Sequence, residues 1–263
     1  TMMTTTSSRP VTELTTGAAR VTPSPNCTDP VRRACMIHRW ENLTFLHWRY
    51  EPEAIQRLLP PGYAVECFDG SAWVGLVPFE MVVRPPYLPA VPWLSRFPET
   101  NVRTYVTAPD GSTGVWFLSL DASRLHAVLG ARATYALPYY WSSMDVRSIG
   151  PVVTYRSRRG PATHAARSDV AIEVGAPFGA GELTDLDHWL TARYRLFTVL
   201  DHGDRFARAE HVPWLLHHAR ALHCDSDLIV AAGLPTPTAP PLVHWSPGVE
   251  VRIGTPQRMI ATR

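Results

Sequence analysis

Beyond about residue 36, apolar and polar residues alternate in short segments cut by proline and glycine. This period of two predicts strands at 43–49, 63–68, 72–83, 101–107 and 114–119. It recurs at 141–148, 152–158, 163–172, 194–201, 206–211, 215–223 and 249–254. Helical spacing is rarer: at 52–59 it puts Ile55, Leu58 and Leu59 on one face, and at 121–129 it groups Leu125, Val128 and Leu129. The segments 184–190 and 225–231 open on residue types that cap helices. Strands in this number, with helices fitted between them, predict an α+β, β-rich chain folded as a curved or closed antiparallel sheet.

Composition supports this. The 25 prolines and 16 glycines suit many strands and bends better than a helix bundle. With 45% hydrophobic and 18% charged residues, 263 residues can bury a substantial core in one large domain or two small ones. Residues 1–35 are poor in large apolar side chains and rich in Thr, Ser and Pro, so they read as a disordered tail ahead of a single domain at 36–263. A formal net charge of +2 is too balanced to argue for nucleic acid or an anionic membrane. No apolar run nears the ~18 residues of a spanning helix, and the N-terminus lacks the apolar stretch of a signal peptide. Cys27, Cys35, Cys67 and Cys224 form no CxxC pair and no metal spacing, so a reduced, cytoplasmic protein is expected. One absence bears on chemistry: all 25 cationic residues are arginine. Arginine keeps its charge and forks onto carboxylates, but it does not serve as an amine nucleophile.

Several polar residues fall in apolar surroundings. Alternation places Glu80 on a face with Val74, Leu76 and Pro78, opposite Trp73, Gly75, Val77 and Phe79. Both faces are largely apolar, so Glu80 either pairs with an arginine or reaches solvent at the strand end, or it lines a pocket. Glu99 either pairs with Arg103 or faces a pocket, and the two roles can coexist. Asn101, Arg103 and Tyr105 share one strand face, which lines a cavity or meets solvent. His47 shares parity with Arg49. His211 and His244, each close to a tryptophan, are either packed residues or proton shuttles. The histidines at 211–223 suggest a metal, but on a strand His217 and His223 would lie about 20 Å apart, and His217 and His218 would point to opposite faces. No metal site and no cofactor are therefore expected. The chain has no GxSxG, Walker or GxGxxG motif.

Six stretches carry a family resemblance: Phe45-Leu-His-Trp48, Leu58-Leu-Pro-Pro-Gly62, Phe68-Asp-Gly-Ser-Ala-Trp-Val-Gly75, Phe97-Pro-Glu-Thr-Asn-Val-Arg-Thr-Tyr105, Gly114-Val-Trp-Phe-Leu-Ser-Leu-Asp121 and Leu137-Pro-Tyr-Tyr-Trp141. Ala232-Gly-Leu-Pro and Val243-His-Trp-Ser-Pro-Gly-Val249 continue it, so that it runs from about residue 36 to 258. Together they resemble the YqjF-like group of bacterial proteins, in the acetoacetate decarboxylase-like superfamily. That resemblance implies a sheet curved around a central cavity. It implies that Arg49, in Arg49-x-x-x-x-Ala54, helps hold a substrate carboxylate, and that Glu80 and Glu99 supply the pocket's acids. The decarboxylase's paired lysines, the first of which forms its Schiff base, fall on Tyr139 and Tyr140, with Trp141 beside them.

Phenols cannot form a Schiff base. Beside an arginine they can act as acids, bases or hydrogen-bond donors to an enolate. The expected protein is thus a cofactor-independent acid/base enzyme, a lyase, dehydratase, cyclase or isomerase. It would act on a small carbonyl or polyketide-like metabolite through an enol or enolate. Glu80, Glu99, Tyr139, Tyr140, His211 and His244 are the candidate catalytic groups, with Arg49, His47, Arg103, Tyr105 and Trp141 at the substrate. The alternative is a non-catalytic small-molecule binder using the same cavity. A small-molecule substrate is the expected partner, without nucleic acid or membrane, and a homo-oligomer stays open.

Overall fold

The computed structural model describes residues 24–91, 95–124, 137–160, 165–200 and 203–259. Thirteen strands form one sheet: β1 (Ala34–Tyr50), β2 (Ala64–Val65), β3 (Ala72–Arg84), β4 (Arg96–Thr107), β5 (Thr113–Ala122), β6 (Tyr139–Ile149), β7 (Val152–Arg159), β8 (Arg167–Pro177), β9 (Arg195–Leu200), β10 (Gly203–His211), β11 (His217–Ser226), β12 (Leu242–Gly254) and β13 (Gln257–Arg258). Among the described residues three short helices lie between them, α1 (Pro52–Gln56), α2 (Asp185–Thr191) and α3 (Leu228–Ala231).

The sheet closes twice. β12, β1, β3, β4 and β5 form a shared wall. β10 and β9 bridge its ends on one side, and β6, β7, β8 and β11 bridge them on the other. One circuit has seven strands and the other nine. The expected β-rich closed sheet is present, with two parallel contacts, β5–β6 and β5–β9, among antiparallel ones.

A two-sided wall explains why its strands are apolar on both faces. Leu43, Phe45, Val77, Phe79, Phe97 and Leu120 pack toward β9 and β10 in the smaller ring. Leu46, Trp48, Val74, Leu76 and Val102 pack toward β7, β8 and α3 in the larger one.

β1 starts nine residues ahead of the strand that alternation predicts at 43. The reason is a bulge: the β1–β3 register shifts between Glu41 and Leu46, and Asn42 takes a φ of 47°. Before the bulge Met36, His38 and Trp40 face the smaller ring's interior; after it Leu43 and Phe45 do. The parity reverses, which hides the strand's continuity. Gly248 makes the bulge fit, since a Cβ there would lie 2.0 Å from the Trp40 carbonyl oxygen.

Residues ahead of β1 also touch the barrel, with Asp29 accepting from Arg195 and Arg208. The helix expected at 121–129 begins on β5 residues, and 125–136 lie outside the described residues.

Candidate active site

The smaller ring encloses a cavity of about 120 Å³. β4 supplies its polar wall: Glu99, Asn101 and Arg103 stand on one face at every second residue. Val77 and Phe79 of β3, Leu120 of β5 and Trp214 make the surroundings apolar. Glu99 is 3% exposed and is met by Tyr139, the first residue of β6, whose hydroxyl donates to Oε2 at 3.0 Å. Burial pushes the Glu99 carboxyl up to about 8. Hydrogen bonds from Tyr139 and Asn101 oppose the shift, and the negative charge of Asp121 adds to it.

Arg103 is also buried. Its Nη2 donates to the Leu190 carbonyl at 3.2 Å, and its guanidinium lies 5.2 Å from the Phe45 ring centre. Among the described residues, Arg103 Nε and Asn101 Oδ1 have no hydrogen-bond partner. Buried polar atoms in this state are costly, so they are natural contacts for a ligand.

Behind Arg103, Tyr105 gives its proton to the Leu190 carbonyl at 2.7 Å, and His47 Nε2 lies 2.6 Å from the same hydroxyl. With the Tyr105 proton committed, His47 Nε2 carries the N–H and donates. Burial, with Arg103, His244 and Arg193 nearby, holds His47 well below the usual imidazole range. Gly75 separates His47 from Arg103 across the sheet; a Cβ there would come within 3.0 Å of the imidazole. His47 and Tyr105 thus buttress Arg103 and do not line the cavity.

The other residues named from sequence lie elsewhere. Glu80 is on the opposite face of β3, where it accepts from Asn42 at 2.7 Å and Arg96 at 3.3 Å. Tyr140 alternates away from Tyr139 and lies over Arg159, whose guanidinium carbon is 3.9 Å from the ring centre. Trp141 is exposed, and Arg49 is exposed over the Trp73 ring. His211 packs behind the cavity on Trp214, and burial lowers its pKa. His244 hydrogen-bonds Asp187 at 2.9 Å. Burial works to raise the Asp187 carboxyl, but hydrogen bonds from His244 and Thr184 outweigh it and hold the group at about 2.

Sequence reasoning did not find His38 and Trp40, which line the far end of the cavity. Their ring nitrogens have no partner among the described residues, and burial lowers His38 to about 4. Only the bulge, invisible to a period-two pattern, turns them inward. Among the described residues no three His, Cys, Asp or Glu side chains gather as a metal site would, and no helix is long and apolar enough to cross a membrane.

A doubly closed sheet around a small cavity with one buried carboxyl defines an acetoacetate decarboxylase-like fold. The match to solved structures bears this out. An acetoacetate decarboxylase-like enzyme from Sphingomonas wittichii RW1 superposes with a TM-score of 0.61 at 14% identity, over 87% of this chain and 94% of that one. The enduracididine biosynthesis enzyme MppR, complexed with pyruvate, gives 0.59 at 11% over 87% and 92%. Acetoacetate decarboxylase from Legionella pneumophila gives 0.56 at 11% over 89% and 92%.

Sequence places the chain more finely. Residues 38–250 match DUF2071, a family of uncharacterized conserved proteins, and the chain belongs to that family. It is 36% identical over 212 residues to the uncharacterized protein YqjF of Bacillus subtilis (strain 168), covering 80% of this chain and 87% of YqjF.

Proposed function

We propose that this protein is a cofactor-independent acid/base enzyme acting on a small carbonyl compound through its enol or enolate. Glu99 carries the proposal: a carboxyl enclosed among apolar side chains, hydrogen-bonded to Tyr139, with a pKa of about 8. Such a group suits moving a proton on and off carbon near neutral pH.

In the proposed step, ionised Glu99 takes a proton α to a carbonyl. The C–H electron pair becomes the C=C bond of the enolate, and the oxygen takes the charge. Once Glu99 is protonated it no longer needs the Tyr139 hydrogen bond, and that donor turns to the enolate oxygen. Return of a proton to the α carbon completes exchange. Where that carbon bears a hydroxyl, passage of the hydroxyl proton to the first oxygen and return of the Glu99 proton to the neighbouring carbon completes an isomerisation. Loss of a β-hydroxyl as water, with Glu99 returning the proton to it, completes a dehydration. Arg103, on the same wall, offers a donor and a positive charge to a second oxygen of the substrate. With no lysine in the chain, the reaction proceeds without a lysine Schiff base.

The cavity also limits substrate size. Its ~120 Å³ is close to the ~150 Å³ engineered cavity that accepts benzene, and well below the ~300 Å³ at which drug-sized pockets begin. This favours a compact keto compound over a polyketide-like one. The pyruvate held by MppR, a fold neighbour, is of that size class. The largely apolar remainder of the lining favours a second reading, a non-catalytic binder.

Proton NMR in D2O with β-keto acids, 1,3-diketones and β-hydroxy ketones separates the two. The enzyme reading expects exchange or conversion above the buffer rate, rising through pH 8 as Glu99 ionises and lost in Glu99→Gln. A compound that binds without exchange at any pH would shift the assignment to a binder.

A further inference from the structure

Directly behind the Glu99–Tyr139 pair lies a second buried carboxylate. Asp121 of β5 is fully buried, and so is its partner Arg159 at the end of β7. The guanidinium forks onto it, Nη2 to Oδ1 at 2.7 Å and Nε to Oδ2 at 2.9 Å, and Ser142 of β6 donates to Oδ2 at 2.6 Å. One carboxylate therefore ties together β5, β6 and β7.

The place it ties is weak on backbone grounds alone. β5 and β6 meet in parallel over only three residue pairs, Leu120 with Tyr139, Asp121 with Tyr140 and Ala122 with Trp141. Leu120 and Tyr139 face the cavity, while Asp121 and Tyr140 face the larger ring, where the Tyr140 ring covers Arg159. On β4, Glu99 stands opposite Ala122 and Thr100 opposite Asp121. Stability gives little reason for such a pair, because well-packed apolar residues commonly replace a buried ion pair at no cost.

We propose that Asp121 and Arg159 are the positioning residues of the Glu99–Tyr139 pair. They fix where β6 begins, so that Tyr139 reaches Glu99, and they hold a negative charge behind Glu99. The consequence for turnover rests on the acid/base reading above; the geometric assignment does not. The downward shift in Glu99 acidity that Asp121 produces is in the same sense.

The test needs no substrate. The infrared C=O band of protonated Glu99, identified by its disappearance in Glu99→Gln, is followed against pH. The double variant Asp121→Leu/Arg159→Met replaces the pair with apolar bulk and is expected to stay folded. Two effects oppose in it: losing the Asp121 charge lowers the midpoint, and losing the Tyr139 hydrogen bond raises it. In a Tyr139→Phe background only the charge is left to act. There the double substitution should lower the midpoint by at least about half a pH unit, about threefold in the ratio of ionised to protonated Glu99. With Tyr139 present the fall should be smaller, and the difference between the two backgrounds reads the positioning. Arg159→Lys, which keeps both charges, should leave the midpoint unchanged. Folded double variants whose midpoint moves equally in both backgrounds overturn the positioning role, and no movement in the Tyr139→Phe background overturns the charge. A difference between the backgrounds in a protein that exchanges no carbonyl compound leaves the positioning role standing and removes the acid/base reading.

Discussion

Glu99 and Asp121 are both buried carboxyls, set almost back to back on neighbouring strands, and they differ in one respect. Asp121 has a guanidinium forked onto it and a serine hydroxyl besides. Glu99 has a phenol and an amide, and among the described residues no cation pairs with it. Burial alone disfavours the charge, and a partner restores it. The wall between the two rings therefore has an ion-paired acid on one face and, on the other, a carboxyl that burial pushes up to about 8. Which acid can do chemistry depends on the company each keeps, since both are equally withdrawn from water.

Removing one partner from the ion-paired face should cost most. Arg159→Met leaves Asp121 buried and unpaired, and chemical denaturation should show a loss of about 3–5 kcal/mol. On the other face Glu99→Gln should leave the fold intact but lower carbonyl exchange by about 10²–10⁴-fold, measured by NMR in D2O. The same substitution should change the pH dependence of stability. Because the folded pKa of Glu99 lies above its ordinary 4.5, its contribution is fully present below that pH. It is then lost as the pH rises through about 8. Denaturant titrations should show this decline in the parent, on the order of a few kcal/mol, and a flatter profile in Glu99→Gln.

Tyr139→Phe should cost about a hundredfold in rate if the phenol meets the enolate oxygen, and should move the rate profile to higher pH, since the lost hydrogen bond favours ionised Glu99. Glu80→Gln, at a partly exposed pair with Arg96, should change stability by less than about 1 kcal/mol and exchange not at all. A Glu80→Gln protein as inactive as Glu99→Gln would break the comparison.

The sheet was legible in the chain because alternation survives wherever a strand keeps one parity. β3, β5, β7 and β10 lie close to where the pattern puts them. It failed where parity changes or where side chains of one type face two interiors. β1 hides its first nine residues behind the bulge at Asn42. The site was legible in part for the same reason. Glu99, Arg103 and Tyr139 enter the cavity from strands of regular alternation, whereas parity alone could not say which of the two rings Glu80 faces. Asp121 looked like the start of a helix because an acidic residue ahead of apolar ones is also a capping signal; its arginine lies 38 residues away, beyond any local pattern.

The bulge has a further meaning for the gene. It acts as a phase boundary: before it, even-numbered residues of β1 belong to the cavity, and after it the odd-numbered ones do. Deleting a single codon between Trp40 and Leu43 would do more than shorten a strand. It would remove the extra residue of the bulge, so that one unbroken alternation carries Met36, His38, Trp40, Leu43 and Phe45 to the cavity. The residues ahead of the deletion would slip by one against β12, which pairs with β1 in constant register across the bulge. The pairing at the far end of this cavity is thus specified by a count of residues as much as by their identity.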